Sequence, residues 1–259
     1  MRIDQLMVNR GLVESRNQAQ RLVMAGAVRA EGEMVHKPSA QVPIDAEIEI
    51  KKQPEFVSRG GEKLSAAINA FNVQPTGKIC ADVGASTGGF TDCLLQNGAI
   101  KVYAIDVGYG ILHWKLRQDP RVIVMERTNV RFLHTLPESI DLVTIDASFI
   151  SLVFILPVVK SWLDELNGQV IGLIKPQFEA GRKEAAIHAG VIKDRSVHVE
   201  VLHRTLEAAS ELGFFPRGLI PSPIRGPKGN IEFLVDLQLT PGKNCDREKM
   251  IEDALKNVH

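Results

Sequence analysis

The pattern of apolar and polar residues divides the chain into a short first part and a long second part. Apolar residues recur every three or four positions in residues 2–8 and 16–25, which predicts two short helices. Ser15 and Gln18 form a capping box before the second helix, and Gly26 provides a stop after it. Short β-type runs follow at 27–30, 35 and 47–50. We therefore predict a small α+β domain over residues 1–52 and a linker over 53–61.

From residue 62 onward, apolar runs of strand length alternate with stretches of helical spacing. Strands are predicted at 79–83, 102–106, 122–126, 142–145, 170–174, 217–221 and 232–239. Helices are predicted at 89–97, 111–117, 153–166 and 195–212, and a further one runs to about residue 71. The Gly60–Gly61 pair before that helix permits a tight approach or a hinge.

This alternation favours a mostly parallel sheet with helices on both faces. No helix separates the last two predicted strands, which indicates an antiparallel last strand. We therefore predict a Rossmann-like α/β domain over residues 62–259. Ligands should bind at the carboxyl ends of its parallel strands.

The most specific local signal is the segment A-D-V-G-A-S-T-G-G-F-T-D at residues 81–92. It follows a predicted strand and leads into a helix, and its glycines can adopt positive φ and admit a ligand close to the backbone. No lysine follows Gly88 and Gly89, which excludes a phosphate-binding P-loop, and the spacing after Gly84 fails the dinucleotide fingerprint. The remaining pattern, D-x-G-x-x-x-G-G, resembles the S-adenosylmethionine (SAM) turn of Rossmann-like methyltransferases.

A carboxylate about 20 residues further along supports a cofactor site, because Asp106 ends a strand where it can accept both ribose hydroxyls. The glycine turn alone is equally consistent with an ordinary βα loop, and Asp106 favours the cofactor. The residues predicted to bind SAM lie in the turn or at strand ends. They are Asp82, Gly84, Ala85, Ser86, Gly88, Gly89, Phe90, Asp106, Asn129 and Asp146.

Composition limits the class of protein. The 31 Lys and Arg residues balance 31 Asp and Glu residues, so any basic surface must be local. Cys80, Cys93 and Cys245 lack metal-ligand spacing and are typical of buried side chains in a reducing compartment, and we predict no metal site. The chain begins without an apolar signal segment, and its longest apolar run, 149–159, is too short to span a bilayer. We expect a cytoplasmic protein without membrane attachment.

Residues 2–28 carry the sequence R-I-D-Q-L-M-V-N-R-G-L-V-E-S-R-N-Q-A-Q-R-L-V-M-A-G-A-V, which resembles the S4 RNA-binding domain almost throughout. Charge alone would favour solvated helices with scattered arginines, because this part of the chain also carries several glutamates. The resemblance instead favours RNA binding through guanidinium contacts to phosphates. The arginines predicted to contact RNA are Arg2, Arg10, Arg16, Arg21 and Arg59.

Polar side chains stand where the predicted strands end or begin. Asn129 follows the third strand, Asp146 the fourth and Lys175 the fifth, while Glu232 opens the last strand. A lysine kept only for solubility would not be expected between a buried apolar strand and Pro176, so the position of Lys175 indicates a functional residue. Glu232 alone is equally consistent with an edge-strand carboxylate. Lys63 falls in the first turn of a helix, where a cation is unfavourable with the helix dipole unless a partner compensates it. This position favours a function for Lys63 mildly, and a solvent-facing lysine is the alternative.

Lys63, Asp146, Lys175 and Glu232 occur in the order and positions of the Lys-Asp-Lys-Glu tetrad of FtsJ-like RNA 2′-O-methyltransferases. The flanking segments S-R-G-G-E-K-L, E-R-T-N-V-R, I-K-P-Q-F-E and G-P-K-G-N-I-E-F-L are similar to the TlyA (hemolysin A-like) family, which joins an S4 domain to that methyltransferase. One departure from the family pattern is Ile111, where a polar residue is expected.

The resemblance implies SAM-dependent 2′-O-methylation of ribosomal RNA, with cytidine as the expected nucleoside and rRNA or ribosomal subunits as partners. No obligate protein partner is evident. The sulfonium of SAM is already a strong electrophile, so the reaction needs no metal, and alignment of the ribose hydroxyl can supply much of the acceleration. Lys175 would then contact and deprotonate that hydroxyl, and Asp146 and Glu232 would orient Lys175 and Lys63.

Three other functions remain open at this point. A catalytically silent RNA-binding or ribosome-assembly protein would bind RNA in a salt-sensitive way without transferring methyl groups. A membrane-lytic protein would need a spanning segment or a strongly amphipathic basic helix, and the sequence has no convincing one. NAD-dependent chemistry is disfavoured by the glycine spacing.

Overall fold

The computed structural model describes residues 1–51, 54–181, 190–242 and 246–258. The chain forms two compact units, Met1–Pro54 and Glu55–His259. The predicted end of the first domain at residue 52 and the predicted start of the linker at 53 lie outside the described residues.

Residues 55–61, predicted as part of the linker, are built into the second unit. The side chain of Phe56 is buried, and the Val57 N–H donates to Asp92 Oδ2 at 2.9 Å. A Cβ on Gly61 would lie 2.1 Å from Cγ of Phe56. The glycine therefore serves a tight approach between the Phe56 ring and the helix that follows.

The first unit contains two helices and a three-stranded antiparallel sheet in the order β2-β1-β3. Its elements are α1 (Ile3–Asn9), α2 (Arg16–Met24), β1 (Val28–Ala30), β2 (Glu33–Met34) and β3 (Ile48–Ile50). Apolar side chains of both helices and of β1 share one core. Ser15 Oγ accepts from the Gln18 N–H at 3.3 Å and caps α2, whereas Gln18 Oε1 accepts the N–H of Glu14 and not that of Ser15, so the predicted capping box is only half formed.

The second unit is organised around a seven-stranded sheet in the order β6-β5-β4-β7-β8-β10-β9. The strands are β4 (Ile79–Val83), β5 (Lys101–Ile105), β6 (Val122–Met125), β7 (Leu142–Ile145), β8 (Gln169–Ile174), β9 (Phe215–Pro221) and β10 (Phe233–Gln238). Strands β4 to β8 are parallel, and β10 runs antiparallel to both β8 and β9. The predicted mostly parallel sheet with an antiparallel last strand is confirmed.

Helices cover both faces of this sheet. They are α3 (Gly60–Phe71), α4 (Gly89–Gln96), α5 (Trp114–Arg117), α6 (Leu156–Lys160), α7 (Pro176–Glu179), α8 (Arg195–Glu211) and α9 (Arg247–Lys256). Side chains of α3 and α4 share one core with alternate strand residues, and side chains of α6, α8 and α9 share the other. Cys80 and Cys93 are fully buried as predicted, and Cys245 lies outside the described residues.

The helix predicted over 153–166 is much shorter in the structure. A 3₁₀ turn at Leu152–Phe154 leads into α6, which is followed by an irregular segment. There Leu163 forms a parallel bridge with Ile140, and Asp164 Oδ1 accepts two following backbone N–H groups at 3.1 and 2.8 Å. These contacts turn the chain toward β8 and end the helical spacing.

Two further differences concern helix ends and the C-terminal part of the chain. Helix α5 begins only at Trp114, because His113 Nδ1 accepts the Lys115 N–H and acts as the N-cap. Helix α9 was not predicted, although Asp246 caps it by accepting the Lys249 N–H at 3.2 Å. Among the described residues, no helix is both long and apolar enough to cross a membrane.

Candidate active site

A cleft of about 470 Å³ opens at the carboxyl ends of β4, β5 and β7. Predicted cofactor residues from separate loops meet there. Those that line the cleft are Gly84, Ser86, Asp106, Asn129 and Asp146. Ile111, the departure from the family pattern, also lines the cleft and is 43% exposed. The placement of these five residues around one cleft fits the prediction that the strand ends converge on one ligand site.

Asp106 joins two loops at the rim of the cleft. Its Oδ2 accepts the Ser86 N–H at 2.8 Å, and its Oδ1 accepts the Gly108 N–H at 2.7 Å. Each carboxylate oxygen can accept more than one hydrogen bond, so both oxygens retain capacity for a ligand hydroxyl. Asp106 thus fixes the shape of the cleft and still offers acceptors to its occupant.

The glycines of the turn are required for packing within the protein. Gly84 has φ +83°, and a Cβ on it would lie 2.7 Å from the Asp146 carbonyl oxygen. Gly88 has φ +97°, and a Cβ on it would lie 2.2 Å from Leu116 Cδ1. Ala85, Gly88, Gly89 and Phe90 do not line the cleft. These four residues support the conformation of the turn on the side away from the cleft.

Asp82 lies beneath the turn and has no exposed surface. Its Oδ2 accepts from Thr91 Oγ1 at 2.6 Å, and its Oδ1 accepts from Thr144 Oγ1 at 3.0 Å. Burial raises the pKa of Asp82 to about 7. The side chain was predicted to bind the cofactor, but the structure places it between β4, α4 and β7, where it supports the turn.

Two lysine–carboxylate pairs lie at the strand ends beside the cleft. Lys63 Nζ lies 2.6 Å from Glu232 Oε2, and Lys175 Nζ lies 2.6 Å from Asp146 Oδ1. The side chains of Lys63, Lys175 and Glu232 are only 9%, 8% and 1% exposed. Lys175 and Glu232 are neighbours because their strands pair at Ile174 and Phe233. All four predicted tetrad residues are thus brought into two ion pairs.

Sequence reasoning missed three polar residues around these pairs. Ser148 Oγ accepts from Lys175 Nζ at 3.0 Å, and Gln177 Nε2 donates to Glu232 Oε1 at 3.2 Å. Glu179 is buried, accepts the Leu152 N–H at 2.7 Å, and accepts from Ser151 Oγ at 2.5 Å. Burial raises the pKa of Glu179. The available signal was their position, because Ser148 lies two residues after Asp146, and Gln177 and Glu179 lie two and four residues after Lys175.

An aromatic groove of about 460 Å³ adjoins the same strand ends. Phe149 is 90% exposed, and its ring centroid lies 5.0 Å from that of Phe178. Phe154 and Arg131 line the same groove. Arg131 also lines the cleft, so the two cavities share a wall. Exposed rings beside an arginine form a surface on which nucleic acid bases can stack.

The first unit places its predicted RNA-binding arginines differently from one another. Arg2 Nη2 and Arg16 Nε bind the buried Asp4 carboxylate at 3.0 and 2.9 Å, which holds the pKa of Asp4 well below its usual range. Arg10 donates to the carbonyl of Ala46 at 2.6 Å. The side chain of Arg21 is exposed, and its guanidinium makes no hydrogen bond or ion pair with any residue that the structure describes.

In the second unit, Arg59 is exposed at the start of α3.

Within the described ranges, no group of three or more His, Cys, Asp or Glu side chains could hold a metal ion.

A mostly parallel sheet with one antiparallel strand, a glycine turn above a cleft, and two lysine–carboxylate pairs beside the cleft residue Asp146 define a Rossmann-like methyltransferase domain. Residues 56–239 match the FtsJ-like methyltransferase family, and residues 1–48 match the S4 domain. The chain belongs to the FtsJ-like methyltransferase family and carries an S4 domain. Both resemblances predicted from the sequence are confirmed.

Relatives match the chain over nearly its whole length. The Bacillus subtilis protein YqxC is 46% identical over 264 residues, which cover 99% of this chain and 92% of the relative. The 16S/23S rRNA (cytidine-2′-O)-methyltransferase TlyA of Mycobacterium tuberculosis is 42% identical, covering 98% of this chain and 95% of the relative. A solved Streptococcus thermophilus structure with a hemolysin name has a TM-score of 0.73 at 43% identity, covering 99% of this chain and 96% of that one.

Proposed function

We propose that this protein transfers the methyl group of SAM to a ribose 2′-hydroxyl of ribosomal RNA, with cytidine as the acceptor nucleoside. The observation that carries the proposal is the presence of two neighbouring ion pairs, Lys63–Glu232 and Lys175–Asp146, of which the second includes the cleft residue Asp146. The choice of rRNA and cytidine is supported by the name of the Mycobacterium tuberculosis relative.

The residues of the cleft suit the chemistry of SAM. Asp106 offers carboxylate oxygens to ribose hydroxyls, and Asn129 and Asp146 offer polar groups to the amino acid portion. Val107, Ile111 and Val130 give the cleft an apolar wall that suits an adenine ring. SAM supplies an electrophilic methyl group on a sulfonium, so the protein must orient the acceptor hydroxyl and receive its proton.

Lys175 is the residue proposed to receive that proton. Its amine contacts Asp146, which lines the cleft, and it belongs to the segment whose Gln177 and Phe178 line the aromatic groove. A hydroxyl placed between cleft and groove would therefore come within reach of Nζ. The Lys63–Glu232 pair adjoins it because Glu232 and Lys175 flank the paired residues Phe233 and Ile174, and this pair would hold the second positive charge beside the reacting oxygen.

The aromatic groove and the first unit supply the surfaces proposed to bind RNA. Phe149 and Phe178 would stack against an unpaired base next to the acceptor ribose, as proteins do when they bind single-stranded or extruded nucleotides. In the first unit, Arg21 is exposed, and Arg16 keeps 48% of its side chain exposed while bound to Asp4. These guanidinium groups can contact phosphates.

The test is the transfer of tritiated methyl groups from SAM to three substrates: naked rRNA, assembly intermediates and mature ribosomal subunits. The labelled RNA is then digested and its nucleosides are identified by mass spectrometry. We expect 2′-O-methylcytidine, which also makes the adjacent bond resistant to alkali because the 2′-hydroxyl is blocked. A base-methylated product would contradict the assigned reaction. Absence of label in all three substrates, from protein shown to bind SAM, would contradict enzymatic function.

A further inference from the structure

Lys175 has two hydrogen-bond acceptors at its amine. Nζ lies 2.6 Å from Asp146 Oδ1 and donates to Ser148 Oγ at 3.0 Å. A lysine nitrogen has three positions besides its bond to Cε, and in the ammonium form all three are N–H donors. Two acceptors therefore occupy two of the three positions. Their directions together fix the third.

The third position decides how the amine can act as a base. A neutral amine has two N–H bonds and one lone pair, and a donor places its N–H bonds on the available acceptors. With Asp146 alone, the head of Lys175 could rotate about one contact, and the lone pair would have no defined direction. With Ser148 as the second acceptor, the lone pair takes the remaining position. The hydroxyl of Ser148 thereby prepares the amine to receive a proton.

We infer that Ser148 is a positioning residue for methyl transfer, because it directs the lone pair of Lys175 toward the acceptor hydroxyl. The inference rests on the proposed function. As the ribose oxygen bonds to the methyl carbon, the carbon–sulfur electron pair stays on sulfur and the hydroxyl proton moves to Nζ. The resulting ammonium donates to Asp146 and Ser148, which neutralise and solvate it.

The backbone around Ser148 is anchored on both sides. Before it, the Asp146 N–H donates to the Val83 carbonyl at 2.9 Å. After it, Glu179 holds Ser151 and Leu152 through its two carboxylate oxygens. Between these anchors the chain bends at a non-glycine residue, 149, with φ +64°. The hydroxyl is thus presented to Lys175 by a fixed segment.

The exposure of Ser148 makes a clean test possible. Ser148 is exposed and lines the cleft, so its hydroxyl contributes little to packing. Ser148→Ala removes the acceptor, Ser148→Thr retains a hydroxyl on the same carbon, and Ser210→Ala is the matched control. The Ser210 hydroxyl donates to a carbonyl within α8 at 2.9 Å and has no part in the site.

Three quantities are measured for each variant: the single-turnover rate of methyl transfer, the Kd for SAM and the Kd for rRNA. We expect Ser148→Ala to slow methyl transfer about tenfold, because Lys175 would still be present as the base but would no longer be oriented. Both Kd values should stay within about twofold of wild type, since the lost bond belongs to Lys175. Ser148→Thr should recover most of the rate, and Ser210→Ala should match wild type.

Each contrary result has a distinct meaning. Ser148→Ala that transfers as fast as wild type would overturn the inference and leave the proposed function intact. Ser148→Thr as slow as Ser148→Ala would also overturn it, because the hydroxyl would then not be the active feature. Loss of SAM affinity in Ser148→Ala would assign the hydroxyl to cofactor binding instead. Wild-type protein that methylates no rRNA would remove the proposed function and this inference with it.

Discussion

The buried pair of Lys63 and Glu232 should give a large loss of stability when only one partner is replaced. Their side chains are 9% and 1% exposed, with Nζ and Oε2 2.6 Å apart. Glu232→Met leaves the Lys63 ammonium buried without its counterion. Removing one partner of a buried ion pair costs about 3–5 kcal/mol. Replacing both partners with apolar residues, Lys63→Met with Glu232→Met, should recover most of that loss, because no charge is then left buried.

Urea denaturation followed by tryptophan fluorescence measures this cost in the second unit alone. Both tryptophans of the chain, Trp114 and Trp162, lie in that unit, and Trp162 is only 3% exposed. With a denaturant slope of about 2–3 kcal/mol/M, the Glu232→Met midpoint should fall by roughly 1–2 M. The double variant should return toward the wild-type midpoint but transfer no methyl groups, since both variants lack the pair at the site.

The control breaks an exposed pair on the same unit. Lys256 Nζ lies 2.9 Å from Glu252 Oε1, and both side chains are more than half exposed. Lys256→Met should change stability by less than about 0.5 kcal/mol. A Glu232→Met midpoint equal to that of Lys256→Met would refute the reasoning. So would a double variant less stable than Glu232→Met, because the cost could not then come from an unpaired buried lysine.

Three further predictions concern other parts of the chain. Asp82 has a pKa of about 7 in the folded protein against about 3.9 in the unfolded chain. The free energy of unfolding should therefore fall as pH rises from 4 to 7, by up to ~1.4 kcal/mol per pH unit. Urea midpoints measured across this pH range should fall in the wild type, and Asp82→Asn should lose this dependence on pH. Gly61→Ala should lower the thermal unfolding midpoint, because the added Cβ would lie 2.1 Å from Phe56 Cγ. Gly60→Ala should be tolerated, because the nearest atom to its added Cβ is 3.4 Å away. Equal midpoints for the two variants would contradict this packing. Arg21→Gln should weaken rRNA binding and reduce the slope of log K against log salt by about 0.7–0.9, and an unchanged slope would remove Arg21 from the RNA surface.

The main architecture could be predicted from sequence because its signals are local. Each parallel strand is a short apolar run, and the connection between the last two strands lacks a helix, which indicated their antiparallel pairing. Lys63, Asp146, Lys175 and Glu232 could be recognised because each stands at the end or beginning of such an element. Their family pattern then associated residues that are far apart in the sequence.

The remaining features depend on contacts between distant parts of the chain. Position 88 must be glycine because Leu116 packs where a Cβ would lie, and the buried carboxylate of Asp82 is satisfied by hydrogen bonds from Thr91 and Thr144. The local sequence pattern therefore could not separate residues that support the turn from residues that face the cleft. The hydroxyl of Ser148 became significant only when β7 and β8 placed it beside Lys175. Helix α9 is different, because its aspartate cap and its apolar spacing at residues 251, 254 and 255 are local features of the sequence.

The most direct test of the central claim compares wild type with Lys175→Met, with Lys256→Met as the matched lysine control. The measurement is single-turnover methyl transfer to rRNA at saturating SAM, with SAM affinity determined on the same preparations. The account predicts that Lys175→Met binds SAM with a Kd near that of wild type and transfers no methyl group, while Lys256→Met does both normally. Substantial 2′-O-methylation by Lys175→Met would contradict the assignment of Lys175 as the proton acceptor.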